Sequence, residues 1–398
     1  MHRVAPVLLA VASCWAVGGA TLHAQSNWFS GYVQTAPLFS GATELAPSAA
    51  SNFNRFRLSI DPDLGPIRLE VAYEHAVSFR QHDVTPGFGL GGVQSGAEWW
   101  ELQGTITSSS QEHVVWVHRF DRLNVGWSPT DTVDVRLGRQ TVSWGTTSFL
   151  SPADPFVPFI PADPFRIYRA GVDAVRVRIY PGPLSEIDLV VRPTDTDVGE
   201  ETTALARALT TVKNWELSGW GGSLYGDIAG AFGAAGGLGA WAIRVEAVIR
   251  QIDETIVGRG SIGIERAFFL SNGRTMTFGW EYQRDGLGAE TPDDYLRILQ
   301  SREFRRGEFQ VFGQDETVVS GSYELSPLWN VGSFVLWNMN DRSVLVAPTV
   351  AYSAGNNTAV SSGLFFGFGD TEITAARPLP SEYGLAGITG YTSISWFF

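Results

Sequence analysis

An all-β fold, a transmembrane antiparallel β-barrel of about sixteen strands with fourteen or eighteen as alternatives, is predicted by three observations on this 398-residue chain. Polar and apolar residues alternate with period two through much of its length. The first residues read as an export signal. The chain stops on "GYTSISWFF", where Ile394, Trp396 and Phe398 fall on one face of an extended strand.

The alternation carries most of the weight. In "RFRLSID" Arg55, Arg57, Ser59 and Asp61 oppose Phe56, Leu58 and Ile60. In "IRLEVAYEH" Arg68, Glu70 and Glu74 oppose Ile67, Leu69, Val71 and Tyr73. Asp134 and Arg136 oppose Val133, Val135 and Leu137, and Arg176 and Arg178 oppose Val175, Val177 and Ile179. "SEIDLVVR" sets Glu186, Asp188 and Arg192 against Ile187, Leu189 and Val191. "WAIRVEAVIR" sets Arg244, Glu246 and Arg250 against Trp241, Ile243, Val245 and Ile249. "TMTFGWEYQ" places Glu281 opposite Met276, Phe278, Trp280 and Tyr282. A soluble sandwich alternates too, with its charged face merely solvated. The export signal, the aromatic-rich apolar faces and the alternating short and long connections favour lipid. In hydrocarbon every backbone group must be paired, so a membrane sheet closes on itself, and a wide barrel holds water and charge inside.

The connections set the expected strand count. Short turns fall at "DPDLGP", "SPTDT", "YPGPLSE", "SNGR" and "GNNT", and long ones at 40–52, 80–112, 146–169, 194–213, 285–306 and 370–384. Segments 214–236 and 307–325 each read as one long strand. "TPDDYLRILQ" reads as a loop helix capped by Thr291, and "EETTALARALTTV" (200–212) as a weaker one.

Export is expected from a polar start, an apolar stretch and "LHA" before Gln25, which makes residues 1–24 a signal peptide and 25–398 one barrel domain. In a rival reading, cleavage before Cys14 makes that residue a lipidated N-terminus. Cys14 is the only cysteine, so the mature chain has no disulfide or thiolate metal site. Charged residues are only 17% of the chain, and the net charge of −13 argues against nucleic acid.

A C-terminal strand ending in phenylalanine, with apolar residues at alternate positions, is similar to the assembly signal of Gram-negative outer-membrane proteins. That resemblance implies that Ile394, Trp396 and Phe398 address the chain to the barrel-assembly machinery and to outer-membrane lipid. "DRLNVGW…DVRLGRQTVSWGTTSFLSPADPFVPF…AGVDAVRVRIYPGPLSEIDLVVRP" and "YELSPLWNVGSFVLWNMNDRSVLVAP" resemble the alginate-export-type porins and related uncharacterised barrels. The resemblance implies an outer-membrane barrel and names no solute.

Candidate functional residues lie on the polar faces and in "SPADPFVPFIPADPFRIYRAG", where "PADPF" occurs twice and prolines stiffen the chain. Folded into the lumen, this loop is expected to place Asp154, Asp163, Arg166 and Arg169 at a constriction; alternatively it packs across the barrel mouth. Arg57, Glu70, Arg136, Arg176, Arg178, Arg244 and Glu246 are expected along the lumen, either as a ladder drawing anions or as pairs that stiffen the wall. His113 and His118, five apart, fall on opposite faces of a strand. No nucleophile elbow or phosphate loop occurs, and "DTDVGEE" matches no dedicated calcium loop. The expected function is a porin-like channel for small polar or charged solutes, with no enzyme activity and no cofactor. A plugged structural barrel and an outer-membrane enzyme are the alternatives.

Overall fold

The structure, a computed structural model, describes residues 28–81, 98–107, 113–156, 163–165, 168–375 and 377–398. The expected signal segment, Cys14, His82 and Arg166 lie outside the described residues. The strands are β1 (Phe29–Ser40), β2 (Ala49–Ile60), β3 (Asp63–Leu64), β4 (Ile67–Arg80), β5 (Gln103–Thr107), β6 (Val114–Thr130), β7 (Val133–Gln140), β8 (Val172–Gly182), β9 (Ser185–Thr196) and β10 (Gly199–Val212). They continue as β11 (Trp215–Leu224), β12 (Asp227–Leu238), β13 (Trp241–Ile252), β14 (Thr255–Phe269), β15 (Thr275–Asp285), β16 (Asp315–Ser326), β17 (Trp329–Asn338), β18 (Val344–Gly355), β19 (Thr358–Phe368) and β20 (Ile388–Phe397).

Eighteen of these form one closed antiparallel wall. Each wall strand pairs with the next in chain order, β2 passing to β4 and β4 to β6. The circle closes where β20 pairs with β1, Trp396 opposite Val33 and Ile394 opposite Thr35. Beyond the strand end, the Gly31 N–H donates to the Phe398 carbonyl at 2.9 Å, and the Gly31 carbonyl accepts the Phe398 N–H at 3.0 Å. The last aromatic residues are therefore the closing seam, with Ile394 and Trp396 exposed on the outer face.

The expected count of sixteen is too low by two, and both missing strands have a physical reason. The alanine-rich run 200–212 belongs to β10, where Thr203 and Leu205 are buried inward and Ala204 and Ala206 face out. Ladder pairing to β9 and β11 overrides its helix propensity. The stretch 214–236 holds two strands, not one. Tyr225 (φ 52°) and Gly226 (φ 90°) form the two-residue turn between β11 and β12, a geometry that suits a tight hairpin. Three connections on the outer side, at 197–198, 225–226 and 253–254, are as short as those on the inner side. Loop length alone therefore could not assign sides. The second expected merge fails differently: β16 begins only at Asp315, and 307–314 belongs to the preceding loop. In that loop the helix expected at 291–300 forms as a 3-10 turn at Pro292–Asp294 followed by Tyr295–Gln300, although Thr291 makes no side-chain cap.

The wall is uneven. β7 is the shortest wall strand, since the chain leaves the wall after Gln140 and re-enters it at Val172 to form β8. Above their ends the gap is covered by residues 98–107, in which β5 pairs with β6 and Glu98 bridges Asp195. The cover is fastened from outside: Asp173 accepts the amides of Trp99 and Trp100, both at 2.9 Å, and pairs with Arg139 at 2.8 Å.

Candidate functional site: the occluded lumen

Alternation places the charged faces inward throughout. On β9, Asp188, Val190, Arg192 and Thr194 are buried while Ile187, Leu189 and Val191 are exposed to the outside. What buries these lumen residues is the 141–171 loop, which turns into the barrel. Its backbone is received by two carboxylates of the wall. Glu246 on β13 accepts the amides of Thr146, of Thr147 at 2.8 Å and of Ala153 at 2.9 Å. Glu281 on β15 accepts those of Ser148, Phe149 and Leu150 at 2.7–2.9 Å. Charge-assisted bonds of this type contribute about 1.5–3 kcal/mol each. They also resolve the difficulty of burying a loop, whose amides would otherwise lack partners.

Side chains complete the seat. The Trp144 indole donates to Asp188 at 2.8 Å, the Trp220 indole to the Ala153 carbonyl at 2.9 Å, and Arg55 to the Phe165 carbonyl at 2.8 Å. Gln310, from the 286–314 loop, bonds both the Ser151 amide and the Phe149 carbonyl, so the two loops are tied together. Gly263 leaves room for Glu281, whose Cγ would lie 2.9 Å from a Cβ there.

Within the loop, Asp154 pairs with Arg169 at 2.5 Å and accepts from Ser143 at 2.9 Å. Burial raises the Asp154 carboxyl pKa, and Arg169 opposes that shift. Asp163 accepts the Phe165 amide at 2.9 Å. On the wall, Arg176 pairs with Asp188 at 2.6 Å, Arg178 and Arg136 share Asp134 at 2.7 and 3.2 Å, and Arg244 pairs with Glu265 at 2.8 Å. Glu70 accepts the Asn124 side-chain amide at 3.0 Å and lies 3.7 Å from Arg136.

Arg57 belongs to a denser group. It lies 2.7 Å from Asp121, 3.5 Å from Glu74 and 4.4 Å above the Tyr168 ring, with Arg55, Arg119 and Arg122 alongside. A bulge in β6 turns both Asp121 and Arg122 inward, although strict alternation would separate them. That bulge, and the role of Glu281 as a loop seat, left no signal in the spacing. The only legible hint was a carboxylate on the polar face. Beneath the loop, Ser148, Phe149, Arg244, Glu265, Thr277 and Ser320 border a cavity of about 230 Å³.

One histidine pairing left no trace in the spacing. Within the register, His118 faces His75 on the outer wall, beside Tyr73 and Trp116. Among the described residues no cluster of three or more metal-ligating side chains occurs. The acidic "DTDVGEE" run is the β9–β10 hairpin.

No family model matches the chain, and no curated protein does. Solved structures are similar in fold. OccAB1 of Acinetobacter baumannii is 10% identical with a TM-score of 0.57, over 93% of this chain and 95% of that one. A BenF-like porin of Pseudomonas fluorescens Pf-5 is 9% identical with a TM-score of 0.55, over 93% and 98%. OpdK of Pseudomonas aeruginosa, solved with vanillate, is 8% identical with a TM-score of 0.51, over 93% and 98%. These neighbours are Occ/Opd-type and BenF-like porins, not the alginate-export-type barrels that the sequence stretches resemble. At such identities the likeness is one of architecture, and that architecture is the closed β-barrel of a Gram-negative outer-membrane porin.

Proposed function

We propose that this chain is an outer-membrane channel through which small polar or charged solutes diffuse, narrowed by the 141–171 loop. The observation that carries this reading is the seating of the loop's backbone amides on Glu246 and Glu281, deep on the lumen wall. A mouth cover would rest on the rim, whereas this loop crosses the pathway. Asp154, Asp163 and Arg169 then belong to the constriction and the wall arginines to the path beneath it.

Anionic solutes are favoured by one feature, the arc of Arg55, Arg57, Arg119 and Arg122 set against Glu74, Asp121 and, 3.8 Å from Arg122, Glu70. Vanillate, bound by OpdK, is a small aromatic carboxylate, and solutes of that class suit an arginine-rich wall with Tyr168 stacked on it. Insertion through the barrel-assembly machinery, with Phe398 as the recognised end, belongs to the same reading.

Purified protein in planar bilayers tests it. Single-channel steps and an anion-selective reversal potential in asymmetric salt are expected. The double substitution Glu246→Ala with Glu281→Ala removes the loop's seat and should raise the unit conductance severalfold. Absence of any current steps from correctly folded protein would overturn the channel reading. Unchanged conductance in the double variant would dismiss the loop as its constriction.

A further inference from the structure

The arginines of the outer face differ according to which end of the barrel they occupy. Near the outer end, Arg139 pairs with Asp173 at 2.8 Å and Arg284 with Asp315 at 2.6 Å. At the opposite end, Arg266 and Arg274 have no carboxylate within pairing distance among the described residues. Arg266 falls on the outer face because its neighbour Glu265 turns inward to Arg244, while Ile262 and Ile264 share its side. Arg274 follows the β14 end and shares the outer face with Met276 and Phe278; its guanidinium donates to the Tyr323 hydroxyl at 3.3 Å.

Arg266 sits in a nest of rings. Its guanidinium lies 4.6 Å from the Phe268 ring and 5.4 Å from Trp241, and Trp241 meets Phe268 and Phe278 edge-on at 6.5 and 6.3 Å. Phe268 is two residues closer to the turn, so the side chain is laid downward, as a long cation does when it reaches from an apolar wall toward water. Register places Arg266 opposite Phe278. Arg274 is four residues nearer the turn, about 13 Å along the strand. The two cations thus flank one aromatic patch at the level where a barrel's inner aromatic girdle meets the headgroups.

We propose that this patch, on β13–β16 at the periplasmic end, binds the phosphodiester headgroup of an inner-leaflet phospholipid. The headgroup supplies the anion that the chain itself provides for its outward arginines at the other end. Trp241, Phe268 and Phe278 hold the glycerol and upper acyl region, and Arg266 and Arg274 the phosphate oxygens.

Native mass spectrometry of the full mature protein, released from detergent after titration with phosphatidylglycerol, tests the site. Each of Arg266→Gln and Arg274→Gln is expected to lower lipid retention about fivefold, and Arg266→Lys to retain it. Diacylglycerol with the same chains, which lacks the phosphate, should bind all variants alike and weakly. Heat-modifiable migration verifies that each variant is folded. Equal phosphatidylglycerol retention by wild type and the double glutamine variant would overturn the proposal. So would loss of lipid from Arg266→Lys equal to that from Arg266→Gln. Displacement of the lipid by inorganic phosphate alone would instead assign a free-anion site and overturn it as well.

Discussion

A carboxylate on the inner wall of this barrel serves one of three partners: an arginine, a run of backbone amides, or another acid. Asp188 and Asp134 take the first, Glu246 and Glu281 the second. Glu382, in the 369–387 loop, takes the second and third: it accepts the amides of Phe312 and Gly313 at 2.9 and 3.2 Å and shares a hydrogen bond with Glu316. Asp341 stands beside them, accepting from Tyr295 at 2.5 Å and from the Glu382 amide at 2.7 Å. Burial pushes the Glu382 carboxyl above the ordinary carboxylate range. As pH rises through that interval, the unfolded chain has released this proton while the folded chain still holds it. The loop therefore loses stability from the ordinary carboxylate value up to the shifted one, and no more beyond it. Hydrogen exchange at Phe312 and Gly313, corrected for the intrinsic rate, should quicken across that interval. In Glu382→Gln the acceleration should disappear, and its persistence would assign the effect to another group. Alternation alone identified which of the wall carboxylates face inward. It could not show that Glu246 and Glu281 would find backbone amides, because those amides arrive from a loop roughly a hundred residues away in sequence, as Thr147 does to Glu246.

Among the elements, β10 is the sharpest conflict between local preference and final structure. Its alanines and leucines favour a helix in isolation, yet both neighbouring strands offer complete ladders and the run holds Arg207 inward between outward Ala206 and Ala208. Ala206→Arg places a charge on the lipid face and should destabilise the barrel by about 2–4 kcal/mol near the bilayer midplane. Leu209→Arg, on the lumen face and opposite Glu186, should cost less because it meets a carboxylate instead of lipid. Reversible denaturant unfolding in lipid vesicles measures both, and equal costs would refute the strand. The 141–171 loop shows the opposite relation. Its two "PADPF" copies marked it as unusual, and prolines limit how it folds, but only seating on the wall gives it a position.

For the molecule as a whole, closure is the governing event. The seam between β20 and β1 joins residues separated by almost the whole chain, and the final backbone pair is Gly31 with Phe398. Removing Phe398, or replacing Trp396 with serine, should cut the heat-modifiable folded fraction in outer-membrane preparations several-fold while leaving synthesis unchanged; an unaltered fraction would deny the end its part in assembly. The sequence by itself determined the class of fold and the inward and outward faces of β2, β4, β7, β8, β9, β13, β15 and β20. Those properties follow from a period-two pattern that each strand carries locally. Only the tertiary structure decided that the wall has eighteen strands, that 98–107 covers the gap above β7 and β8, and that residues 146–153 of the proline-rich loop seat on the inner wall. Each of these depends on where a backbone amide or a charge finds its partner across the barrel, and such partners have no fixed spacing in the chain.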